Sequence, residues 1–170
     1  MKSLLLALAC LLSFPALAQT DAKAAETPTQ QIEAVIEAFR TAIIDKDKER
    51  FTQLFLHENI TWESVTSDAN LQRIREKQPK AAKVRHDPKE NHLSFIDGIV
   101  SEKEQDEEKF RNVKIDTDGD IASVFFDYSF NQDGRETNHG KEAWHLVKTD
   151  DGWKIVSVIW SMNWTPAPRT

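Results

Sequence analysis

The chain has 170 residues and carries 22 Lys and Arg against 28 Asp and Glu, a formal net charge of −6. An acidic balance argues against nucleic acid and anionic membrane surfaces as partners. The single cysteine, Cys10, excludes an internal disulfide, so the core alone must hold the fold. The length suits one domain.

The first 18 residues read as a secretory signal. Met1-Lys2-Ser3 carries one positive charge, Leu4 to Leu12 is apolar, and Phe14-Pro15-Ala16-Leu17-Ala18 ends in a small-x-small cleavage pattern. The apolar run is shorter than the ~20 residues a membrane span needs. Cys10 sits within that run and lacks the leucine that precedes a lipoprotein cysteine. The expected mature chain therefore starts at Gln19, in the periplasm or outside the cell. Cleavage removes Lys2 as its only charged residue, which leaves the product more acidic still.

Residues 19–26 are small and polar and are expected to be a disordered linker, followed by one domain over 27–165. Thr27-Pro28-Thr29-Gln30 is a helix start: threonine caps, proline suits the first helical position, and glutamine reaches back. Ile32, Val35, Ile36, Phe39, Ala42 and Ile43 then follow helical spacing. A polar break at Asp45-Lys46-Asp47 precedes a short second helix with Phe51, Leu54 and Phe55, and Asn59 to Trp62 reads as a strand. Asp68 to Lys77 is expected to be a short helix ending before Pro79. The stretch from Ala81 to Asn91 reads as a loop, and Leu93 to Val100 fits a helix or a strand, with helix favoured because charged residues continue to Lys109. Lys77, Lys80, Lys83 and Arg85 form the densest basic group, but Asp87 and Glu90 follow closely, as on a solvated helix end.

From Phe110 the pattern is β. Strands are predicted over Phe110–Asp116, Ile121–Asn131 and Glu136–Lys148, with a fourth to Trp164, separated by Asp118-Gly119, Asp133-Gly134 and Asp151-Gly152. Asp-Gly pairs between such runs are strong hairpin signals. The last strand is apolar in both alternating sets, with Trp153, Ile155 and Ile159 in one and Val156, Val158, Trp160, Met162 and Trp164 in the other. That pattern predicts cover on both faces, one side from the protein's own helices and the other from a partner subunit. Helices followed by a long antiparallel meander make an α+β plan.

The order of elements, the segment IEAVIEAFRTAIIDKDKERFTQLF over 32–55 and the ending GKEAWHLVKTDDGWKIVSVIWSMN over 140–163 resemble the nuclear transport factor 2-like superfamily. Within it the chain is similar to small bacterial SnoaL-like proteins. The resemblance implies a cone: a strongly curved antiparallel sheet wrapped around the N-terminal helices, open at one end and paired through its outer face in a homodimer. It transfers no reaction, because the superfamily spans ketosteroid isomerase, scytalone dehydratase, polyketide cyclases and non-catalytic binding domains.

Any reaction must therefore rest on individual residues. An isomerase needs a carboxylate base opposite a tyrosine or a protonated acid. Tyr128 shares an apolar face with Ala122, Val124, Phe126 and Phe130, whereas Asp127 points the other way, so those two cannot pair. Glu63 and Asp68 are the nearest other bases by chain position. Of the five histidines, His145 falls on the outer face if Trp144 is inner, and His57 caps a helix end. His86 and His92 with Asp87 and Glu90 match no zinc spacing, so neither metal nor cofactor is expected. The expected ligand site is an apolar cavity lined by Trp62, Phe95, Tyr128, Trp144 and Trp160, with Glu142 as its polar anchor and a small apolar or aromatic molecule as its occupant. A binding domain fits best; an isomerase, dehydratase or cyclase, and an interaction dimer with a filled cone, are the alternatives.

Overall fold

The computed structural model describes residues 25–84 and 86–166; the signal segment 1–18 and most of the linker lie outside them. The elements are α1 (Pro28–Ile44), α2 (Lys48–Thr52), β1 (Thr61–Thr66), α3 (Asp68–Lys77), α4 (His92–Ser101), β2 (Asp106–Thr117), β3 (Ile121–Gln132), β4 (Arg135–Thr149) and β5 (Gly152–Trp164). The helix start is built as its residues dictate. The Thr27 hydroxyl accepts from the Gln30 amide, Gln30 Oε1 accepts from the Thr27 amide at 2.9 Å, and Pro28 occupies the first turn. Ile32, Ile36, Phe39, Ala42 and Ile43 form the buried stripe of α1. They pack against Phe126, Trp144, Leu146 and Ile155 of the sheet, with Phe51 and Phe55 closing one side.

The sheet has the order β1-β5-β4-β3-β2. β2 to β5 form the expected antiparallel meander, and the β3–β4 turn has positive φ at both Asp133 and Gly134, as a tight hairpin requires. β1, whose pairing the sequence left open, lies on the edge parallel to β5, with Trp62 opposite Val158, so the sheet is mostly antiparallel with one parallel edge.

Three bulges bend the meander around α1. One follows Arg111 in β2, where Asn112 takes φ 54° and its side chain donates to Asp127; another sits at Thr137 in β4; the third is at Val156 in β5. Each puts one extra residue into a strand, which kinks it and strengthens its twist. The bulge in β5 also corrects the reading of that strand. Trp153 and Ile155 face the core before it, and Val158, Trp160 and Met162 face inward after it. A one-residue slip exchanges the two faces, so the doubly apolar pattern records a switch of face and needs no second cover. The outer face still carries one apolar row across three strands, Phe125, Ala143 and Ile159, with Phe125 47% and Ile159 42% exposed.

Candidate active site

At the end of the cone away from the β4–β5 turn, the side chains of α1 stop short and leave a cavity of about 180 Å³. Its apolar wall comes from Trp62 on β1, Phe95 on α4, Tyr128 and Phe130 on β3, and Val158, Trp160 and Met162 on β5. Its polar groups are Glu108 on β2 and Asn138 and Glu142 on β4. The rings form a connected set: Trp62 lies 5.2 Å from Trp160 and 5.4 Å from Phe95 between centroids. Five of the six residues read from the sequence as a lining thus stand in this wall: Trp62, Phe95, Tyr128, Glu142 and Trp160.

Trp144 is the correction. It is wholly buried, outside the cavity, with its ring 4.8 Å from Phe39 and 5.2 Å from Phe126. Its indole N–H donates to Glu142 Oε1 at 2.5 Å. It is a core residue that fixes the direction of a cavity carboxyl.

The group that sequence reasoning missed is Glu108. Only 5% exposed, it shares a hydrogen bond with Glu142, itself 4% exposed. The register explains how two strands that are not neighbours bring these groups together. Glu108 faces Phe130 and Glu142 faces Phe126 across β3, on either side of Tyr128, and Tyr128 is opposite Gly140, which has no side chain to intervene. Burial pushes both acids above the ordinary carboxylate range. Glu108 rises further because the Glu142 charge opposes a second one and because a hydrogen bond between the two acids favours a protonated carboxyl. Glu142, relieved by the Trp144 N–H and by the Glu108 proton, is pushed up to about 7.

Tyr128 is held neutral by burial and by the two acids beside it. Its hydroxyl lies 3.0 Å from Asn138 Oδ1 and 3.1 Å from the Ser161 carbonyl oxygen, so its proton is already directed into the wall. Asp127 faces out and pairs with Asn112 and Lys141, as its strand position implied. The bases considered from chain position are corrected as well. Asp68 is exposed and paired with Lys83, and Glu63 pairs with His86 outside the cavity. His92 is not in a loop but opens α4, buried against Phe55. Among the described residues, no three His, Cys, Asp or Glu side chains gather as a metal cradle, and no helix is long and apolar enough to cross a membrane.

Gly140 has a further part in this wall. A methyl group there would stand 1.9 Å from the Ser161 carbonyl oxygen, the oxygen that takes the Tyr128 hydroxyl. Gly140→Ala is therefore expected to push β5 outward and destabilise the protein by about 1–3 kcal/mol or more. Urea unfolding checks this, and a neutral result would mean that the close strand approach is not needed.

The fold, a single curved sheet wrapped around a long helix, is shared with solved proteins. A candidate dehydratase of the nuclear transport factor 2-like family from Streptomyces avermitilis superposes with a TM-score of 0.57 at 18% identity, over 83% of this chain and 100% of that one. The chain has the nuclear transport factor 2-like fold. A superfamily protein of that name from Salmonella enterica gives 0.54 at 16% identity, over 84% and 94% of the two chains. A nuclear transport factor 2-like protein with a cystatin-like fold from Novosphingobium aromaticivorans gives 0.55 at 12%, over 79% and 81%. No protein-family model and no curated protein matches the chain.

Proposed function

We propose that this chain is an exported small-molecule-binding protein whose cavity presents a proton-sharing glutamate pair to its ligand. The observation that carries the reading is the Glu108–Glu142 pair, buried in a cavity whose other walls are mostly aromatic and aliphatic. A cavity of about 150 Å³ takes benzene, so one of about 180 Å³ suits a single ring with a small polar group. The signal-like residues 1–18 support export, and the outer row of Phe125, Ala143 and Ile159 supports pairing of two copies.

Native mass spectrometry of protein purified gently from the exported fraction is the test. The expected species is a dimer of chains beginning at Gln19 with a non-covalent adduct, and Trp62→Ala should lose the adduct and keep the dimer. An adduct that survives Trp62→Ala would put the ligand elsewhere, and a clean chain would turn the reading towards an interaction protein. A monomer would remove the outer-face pairing.

The same pair favours a second reading, an enzyme that moves a proton. With one proton between them, Glu142 can take a proton from an acidic carbon while Glu108 gives its own to the oxygen of the same compound, as in an isomerisation. Tyr128 is not the donor in this reading, because its proton is engaged by the wall. The recovered compound should then take up deuterium from D₂O in the presence of the protein, and Glu108→Gln should abolish the uptake.

A further inference from the structure

The cavity has an excess of one sign of charge. Glu108 and Glu142 are both nine-tenths buried, and among the described residues no Lys, Arg or His lines the cavity with them. When the pair keeps only one proton it carries a negative charge with no cation to neutralise it, which costs several kcal/mol inside a protein. Something must offset that cost for the arrangement to be useful, and the residues around it indicate what.

The first indication is the wall. Trp62 and Trp160 stand edge to face at an angle of 63°, with Phe95 beside Trp62. Aromatic faces are the negative part of a ring quadrupole and attract organic cations. The second is the approach. A cleft that shares Trp62, Phe95, Trp160 and Met162 with the cavity continues outward between Glu63, Asp87 and Glu90. Among the described residues no Lys, Arg or His lines this cleft, and at the N-terminus of α4 the Leu93 and Ser94 amides donate to Asn91 Oδ1. Asp87 on this cleft favours the approach of a cation over that of an anion.

We propose that the molecule bound in this cavity is a small organic cation, a primary ammonium on an apolar or aromatic body, whose charge sits against Glu108 and Glu142 while its body packs on Trp62 and Trp160. This rests on the reading of the cavity as a binding site and names the class of ligand. The ammonium supplies the missing counter-charge, and its N–H groups donate to carboxylate oxygens that face the cavity. A carboxylate ligand would add a second negative charge. A neutral alcohol would leave the pair uncompensated.

The test uses three probes of one shape at pH 8, titrated calorimetrically into the full mature protein: benzylammonium, benzyl alcohol and benzoate. Benzylammonium is expected to bind at least about tenfold more tightly than benzyl alcohol, and benzoate not at all. Glu142→Gln and, independently, Glu108→Gln should remove most of that preference. Equal or tighter binding of the alcohol or of benzoate would overturn the cation and leave the cavity reading standing. No binding of any of the three would overturn the cavity reading itself, and the cation with it.

Discussion

Trp144→Ala is expected to be the most damaging single truncation near the site, costing about 3–5 kcal/mol as large aromatic core deletions do. The ring is fully buried where α1 crosses the sheet, 4.8 Å from Phe39, 5.2 Å from Phe126 and 5.8 Å from Phe110. Packing on three aromatic rings from three elements leaves little that can collapse into the space. The second loss is polar, because the indole N–H donates to Glu142 Oε1. Removing the donor from a buried acceptor costs the acceptor its desolvation without return. Trp144→Phe separates the two effects, since it keeps most of the packing and gives up the N–H. It should cost less than Trp144→Ala, and it should raise Glu142 further, because that hydrogen bond is what lowers it. Urea unfolding of both variants at pH 6 and pH 8 measures this. A Trp144→Ala protein within about 1 kcal/mol of the parent would contradict the core assignment.

The distinction between Trp144 and the cavity tryptophans was not legible in the chain, for a physical reason. Alternation tells which face of a strand a residue takes, and Glu142 and Trp144 share the inner one. How far along the cone each residue sits depends on where α1 ends above the sheet, which is a matter of tertiary packing. The helix start at Thr27 and Gln30 and the three Asp-Gly turns were legible because each depends on residues within a few positions of one another. The edge position of β1 was not, since pairing Trp62 with Val158 joins opposite ends of the chain. In β5 the same local rules misled, because a single extra residue at Val156 moved the apolar set from one face to the other.

Glu108 was hidden by its neighbours. The run from Glu102 to Lys109 is almost wholly charged and reads as a solvated continuation of α4, yet β2 begins at Asp106. Within it Asp106, Glu108 and Phe110 turn inward while Glu107 and Lys109 turn out, joined to each other and to Arg40. The usable signal was that Asp106 and Glu108 fall in step with Phe110. Two acids on an apolar face break the ordinary pattern of a strand, and such breaks are expected where a fold carries function.

Because the pair is buried and keeps a proton, the protein should lose stability as the pH rises above about 6.5. Burial, with the Glu142 charge added, holds Glu108 well above its ordinary value. The native state therefore keeps a proton that the unfolded chain has already released. Stability falls with pH wherever the native state binds more protons, by about 1.4 kcal/mol per pH unit for one proton. Glu142, pushed up to about 7, adds to the fall at the start of this window and levels off above it. Asp106, raised by the same burial, acts with the same sign. The opposing groups lie elsewhere on the pH scale. His92 is held below its ordinary value by burial, so its contribution is lost as the pH falls below about 6.5. Glu37, Asp68, Asp118 and Asp127 are held low by their partners and act only in acid. Glu108→Gln keeps a hydrogen-bond donor towards Glu142 but has no proton to lose, so its urea midpoint should stay nearly level above pH 7 and pass that of the parent protein. A parent midpoint that is flat or rising between about pH 6.5 and 7.5 would mean that the two glutamates do not share a proton in the folded protein, and the acid–base reading of the cavity would fall with it.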